Sequence, residues 1–451
     1  MPEAQGSGLG IAHAAPVQAS GSRRWVIVAS LFLFMVINFA DKAVLGLVAV
    51  PMMSDMHLTH AQFGLVGSAF FLLFSLSGVG FGLIADRVDV KWLLAGLALT
   101  WAVAQLPLAW PASFAVLIAC RVLLGAGEGP ASALALHVAY TWFDDHERSL
   151  PTTFVQLGAT AGVVIAGPLL TWVTGRWDWH AAFLALGVVG VLWTLLWLCV
   201  GKTGGAGGGT ARDSASAMPR NRVPALRVAV DPRTRVSYRR LLADRTVIGV
   251  LLQCFVGYAV IAIGLTWVPA YFRVGLGFDA TQTGNLFGLQ VATQIPVGIA
   301  LALFSHLLLK RGVTTRRARG TLISVVCVAS GIAYCMLYSG ASPLVKVGLL
   351  AVAFALASQV FTFGPLLVAE IAPTAQRGAL LAITNAIVTA AGLIGPVAMG
   401  KLLGVAGDHV GYETGFAVTG VLLILTGIAG FTLLDPQRSR QKLKEVAGPG
   451  Y

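Results

Sequence analysis

The chain has 451 residues, 57% of them apolar and only 11% charged, with a formal charge of +12 and a mean hydropathy of +0.80. A soluble domain carries about a quarter charged residues, so composition excludes a water-soluble globular protein. Apolar runs of about 18 residues or more recur along the chain and call for spanning helices, which sets aside a barrel of short alternating strands.

In chain order, residues 1–24 are rich in Gly, Ala and Ser and read as a disordered tail. They do not read as a cleaved signal, because Arg23-Arg24 precedes an apolar stretch too long for one. The hydropathy pattern then predicts twelve spans: 25–50, 62–84, 92–110, 113–139, 152–173, 181–200, 246–272, 282–308, 320–339, 343–369, 378–404 and 414–434. The Gly/Ser/Pro-rich linker 201–245 divides them into a six-helix bundle over 25–200 and another over 246–434, followed by a tail, 435–451. The fold class is an all-α membrane protein.

Of the 31 Lys and Arg residues, 25 fall on the side of the two chain ends and the central linker. The positive-inside rule makes that side cytoplasmic, and the expected location is the bacterial inner membrane. The same basic residues suit anionic membrane lipid, and so apolar a chain speaks against nucleic-acid binding. The five cysteines lie in apolar stretches without metal-ligand spacing and are expected to be small buried hydrophobes. Internal repetition is visible: Gly167-Pro168 and Gly395-Pro396 are offset by 228 residues, Arg148 and Arg377 by 229. With the six-plus-six split this suggests parallel repeats around a central site.

Charges inside the spans are few. "INFADKAVLG" (37–46) sets Asp41 beside Lys42, and "ACRVLLGAGEGP" (119–130) sets Arg121 seven residues before Glu128, on the same helix face. An Asp or Lys at a span centre costs roughly 2.5–3.5 kcal/mol, so such residues face a cavity or pair with one another. The economical arrangement places spans one and four side by side, with two acids and two bases forming a neutral group. Protonating a carboxylate would free a base to hold an anion, which suits proton-coupled anion movement. A buried ion network that merely orients helices is the competing reading.

"GLIADRVDVK" (82–91), with Asp86 and Arg87, resembles the loop signature of the major facilitator superfamily, although Asp89 replaces its second glycine. Within that superfamily, "NFADKAVLG", "RVLLGAGEGP", "TWVPAYF" and "AEIAPTAQRG" resemble the anion:cation symporter family, the relatives of sugar-acid carriers, sialin and vesicular glutamate transporters. The resemblance implies a monomeric secondary transporter for a small organic anion, with protons as coupling ion and no cofactor. It makes Asp41 and Glu128 the proton carriers and Arg121 the substrate anchor, with Lys42 beside it. Gln156 and Asn385 match positions of polar substrate contacts. Phe39 and Phe74 stand where the family often has tyrosine, and Lys42 where it has arginine. Losing two hydroxyls points to a carboxylate less hydroxylated than a sugar acid, aromatic or short aliphatic.

Conformational roles are expected for Asp86 and Arg87, for Arg148, and for Glu370 and Arg377 as a latch. Trp267 and Tyr271 are candidate gates or interface anchors. A proton-driven efflux antiporter and a non-transporting ligand sensor remain as alternatives. An intramembrane enzyme is disfavoured, since no HExxH, nucleophile elbow or histidine cluster is present.

Overall fold

The structure, a computed structural model, describes residues 21–84, 88–144, 146–202, 236–374 and 376–447. Among the described residues all regular structure is helical. Twelve helices are long and apolar enough to span a bilayer: α1 Ser22–Leu47, α2 His60–Ile84, α3 Val90–Ala109, α4 Phe114–Tyr140, α5 Ser149–Arg176, α6 Trp179–Val200, α7 Arg245–Gly275, α8 Ala280–Lys310, α9 Arg316–Tyr338, α10 Pro343–Ile371, α11 Arg377–Ala406 and α12 Val410–Leu433. Helices are the natural solution here, because each satisfies its own backbone polar groups where no water is available.

No end of a predicted span moves by more than four residues. Polar caps set several starts. Asp89, Ser113, Asp178 and Asp244 each accept a bond from a first-turn N–H, and Asp279 forms a capping box with Gln282. Asp89, the departure from the loop signature, thus has a local role as the cap of α3. The tail expected to be disordered through residue 24 is already helical from Gly21, while residues 1–20 and 203–235 lie outside the described set. The C-terminal tail is also partly ordered, as a helix over Pro436–Ala447. Its Ser439 hydroxyl lies 2.8 Å from that of Thr246. All five cysteines are free, but Cys199 is exposed and Cys335 half-buried, where all were expected to be buried.

Within the first six helices α1 packs along α5, α2 along α4 and α3 along α6; within the last six, α9 packs along α12. Gly125 and Gly129 of α4 let the helix lie directly on the backbone of α2 at Phe70 and Phe74. Spans one and four, expected side by side, meet only in part: α5 takes most of that flank of α1, and α1 meets α4 mainly along the latter's second half.

The two bundles close on each other at the face opposite the chain ends. Gly167 of α5 faces Gly284 of α8 with no room for a Cβ, and Gly64 of α2 faces the Pro396 carbonyl of α11 in the same way. The two Gly-Pro steps spotted as a repeat therefore occupy corresponding places, each at a crossing between bundles. α11 is interrupted by a 3-10 turn at Ala390–Leu393 and restarts at Gly395, leaving first-turn N–H groups without helical acceptors. Ser68 of α2 takes one of them, accepting from Val397 N at 3.1 Å across the seam.

Gly284→Leu should hold this face open. In a Ser68→Cys background, labelling of position 68 by a membrane-impermeant maleimide is expected to rise several-fold on adding Gly284→Leu; unchanged labelling would show that the Gly167–Gly284 crossing does not control closure.

Candidate functional site

A cavity of about 280 Å³ lies between the bundles, lined from α1, α2, α4, α7 and α11. Its charge comes from α1 and α4. Glu128 ends the first segment of α4, just before the interruption at Gly129-Pro130, and its Oε2 lies 2.6 Å from Lys42 Nζ. Asn38, one turn before Lys42 on the same face of α1, accepts a second bond from the ammonium. Asp41 is one residue from Lys42, about 100° round the helix, and so points elsewhere. It faces α3, where Gln105 Nε2 donates to Asp41 Oδ1 at 2.8 Å. Asp41 is 0% and Gln105 1% exposed; the second Asp41 oxygen has no hydrogen-bond partner among the described residues.

Arg121 is 4% exposed, with its guanidinium 5.1 Å from the Phe70 ring centre. Its Nε and Nη1 donors meet no acceptor among the described residues. So the expected four-member group is divided. Lys42 and Glu128 form an ion pair, Asp41 is held by a neutral amide, and Arg121 is left with donors that nothing among the described residues matches. A buried cation in that condition is costly, and an anion entering the cavity is the compensation available.

The remaining lining is largely aromatic. Phe39 and Phe74 lie with ring centres 4.4 and 5.6 Å from Lys42 Nζ, and Phe71 meets Tyr258 of α7 edge-to-face at 5.7 Å. Asn385 lines the cavity from α11; Gln156, on α5, is exposed and outside that lining.

The other singled-out residues lie away from it. Asp86 and Arg87 fall outside the described residues. Arg148 donates to the carbonyls of Phe143 and Tyr140 at 3.1 and 3.2 Å, closing the end of α4. Glu370 lies 3.7 Å from Arg319 of α9 and not against Arg377, which is exposed. Trp267 is fully buried at the seam: its Nε1 donates to Pro396 O at 3.0 Å and its ring meets Phe63 of α2 at 5.2 Å. Tyr271 donates to Glu413 Oε1 at 3.1 Å, and Glu413 also pairs with Lys346.

Sequence reasoning overlooked Gln105, Asn38, Phe70 and Tyr258. Asn38 stood in the quoted motif. Gln105 and Tyr258 were each visible as a polar side chain within an apolar span, the kind that needs a partner or a cavity.

Twelve helices closing around one charged central cavity define a secondary transporter, not an enzyme. Residues 31–396 match the family model of the Major Facilitator Superfamily, and the chain belongs to that superfamily. It is similar to the D-galactonate transporter of Escherichia coli O6:H1, at 28% identity over 68% of this chain and 73% of the relative. It is also similar to the "Probable sulfoacetate transporter SauU" of Cupriavidus necator, at 27% identity over 94% of this chain and 97% of the relative. In fold it matches a bacterial homolog of the human lysosomal transporter Spinster, solved inward-facing and unoccupied, with a TM-score of 0.72, 18% identity and coverage of 94% and 99%.

Proposed function

We propose that the protein is a proton-coupled symporter of an organic carboxylate less hydroxylated than a sugar acid. It works by alternating access as a monomer in the bacterial inner membrane, with both chain ends cytoplasmic. One observation carries this reading: the Lys42–Glu128 ion pair, at 2.6 Å, stands in the same cavity as the unmatched donors of Arg121.

The coupling follows from charge balance. With Asp41 and Glu128 ionised and Lys42 and Arg121 charged, the site is neutral. A proton arriving on Glu128 dissolves its pair with Lys42. The two cations then share one carboxylate, Arg121 by its planar fork and Lys42 as a point charge. Proton and anion together leave the site neutral again, so the loaded cavity can pass between faces without carrying bare charge through a low dielectric. Asp41, positioned by Gln105, is the second carboxylate able to hold that coupling proton. The relatives' named substrates include both galactonate, a polyhydroxylated acid, and sulfoacetate, which has no hydroxyl, so the substrate clause rests on the cavity and not on them.

The test is uptake into proteoliposomes of purified protein. An acid-outside gradient should drive a carboxylate to an internal level several-fold above the external one, and a protonophore should collapse it. Accumulation indifferent to the gradient would overturn the coupling. Flux of organic cations that does not depend on Arg121 would replace it with the efflux reading.

A further inference from the structure

The cavity lining constrains which carboxylate is carried. A sugar acid brings a hydroxyl on nearly every carbon, and each needs a partner once buried. Three hydroxyls in the lining are already committed within the protein. Thr266 donates to Ala262 O at 2.8 Å, Thr389 lies 2.6 Å from the Ser75 hydroxyl, and Ser132 faces the Met35 sulfur at 3.8 Å. The Tyr258 hydroxyl and the Asn385 amide carry no hydrogen bond among the described residues, and both come from the second bundle. Between them and the cations of the first bundle lie aromatic faces. Phe70 sits beneath the Arg121 guanidinium, with Phe74 5.3 Å from it and tilted by 36°. At about 280 Å³ the space is at the small end of ligand pockets.

Taking Arg121 as the carboxylate anchor, as proposed above, we infer that the preferred substrate is a single-ring aromatic carboxylate bearing one hydrogen-bonding group across the ring. Its carboxylate sits on Arg121 and Lys42. The flat ring lies against Phe70 and Phe74, in the offset or edge-on contacts that aromatic rings favour. The remote group meets Tyr258 and Asn385. Such a ligand joins the two bundles, charge on one and a single hydrogen-bonding end on the other. A polyol in the same place leaves several hydroxyls unpartnered, at roughly tenfold in affinity for each. A short aliphatic acid offers no ring to these aromatic faces.

The experiment is uptake of 4-hydroxybenzoate, benzoate, galactonate and lactate by the wild-type protein in proteoliposomes under the acid-outside gradient. Half-saturation for 4-hydroxybenzoate is expected at least about tenfold below that for galactonate and lactate, with benzoate between. Tyr258→Phe and Asn385→Ala are each expected to narrow the preference for 4-hydroxybenzoate over benzoate towards one. Phe70→Leu should weaken both aromatic acids relative to lactate. Preferred, Arg121-dependent accumulation of lactate overturns the ring assignment and leaves the proton–carboxylate reading standing. The same result with galactonate overturns the ring and the low-hydroxyl clause together, again leaving coupling intact. If no acid responds to the gradient, the coupling reading falls as well. A preference for 4-hydroxybenzoate unaltered in both Tyr258→Phe and Asn385→Ala overturns the placement of the remote group.

Discussion

Arg121→Ala should severely weaken carboxylate binding while leaving a folded protein. In a thermal-shift measurement on purified protein, a carboxylate at a hundred times its dissociation constant stabilises the native state by about 2.7 kcal/mol. Removing one member of a buried, hydrogen-bonded charge pair costs about 2–5 kcal/mol, or roughly thirtyfold to several thousandfold in affinity. At a hundred times the wild-type dissociation constant, the ligand-induced stabilisation of Arg121→Ala is therefore expected to fall to about 0.9 kcal/mol or less, and to nearly nothing at the upper end of that range. The unliganded melting temperature should not fall, because the guanidinium Nε and Nη1 meet no acceptor among the described residues. Arg121→Lys keeps the charge and loses the fork, and an intermediate shift is expected. Equal shifts in wild type and Arg121→Ala would remove Arg121 from the binding site.

Glu128→Gln should uncouple transport without stopping exchange. In this variant Lys42 is permanently released from its ion pair, so the anion-receiving arrangement exists with no proton present. Counterflow of labelled against unlabelled carboxylate is expected to continue at equal pH on both sides. Accumulation driven by an acid-outside gradient is expected to be lost, falling to the level of protein-free liposomes. Asp41→Asn tests the second carrier with little structural disturbance, because the new amide oxygen still accepts from Gln105 while the proton site is gone. Gradient-driven accumulation that survives in both variants would show that neither acid carries the coupling proton.

Much of the fold was legible because a bilayer reduces the options to long apolar helices, and hydropathy counts those directly. The positions of α1 to α12 follow from it, and so does the split at the central linker. Neighbour relations were less legible. Apolar periodicity does not say which flank of α1 meets which helix, and the decisive signals were glycines: Gly158 and Gly162 set α5 against the α1 backbone, and Gly125 and Gly129 set α4 against α2. The charged residues of the site were found because charge inside a span is conspicuous. Their pairing was not, since adjacent helical residues diverge by about 100° and a side chain's partner depends on the third helix present. Gln105 is that partner for Asp41. Glu370 and Arg377, expected to pair in one conformational state, are apart in this one, where Arg319 of a neighbouring helix lies 3.7 Å from Glu370.

The seam between the bundles has an electrical consequence. Its named contacts, Gly167 with Gly284, Gly64 with Pro396, Ser68 with Val397 and Phe63 with Trp267, all join uncharged groups. Sealing or parting this face therefore moves no gating charge, and a membrane voltage, which acts at about 2.3 kcal/mol per elementary charge per 100 mV, has no handle on it. The opening and closing of this outer seam is therefore expected to be insensitive to voltage. Current measured during transport then carries no component from the motion of these contacts.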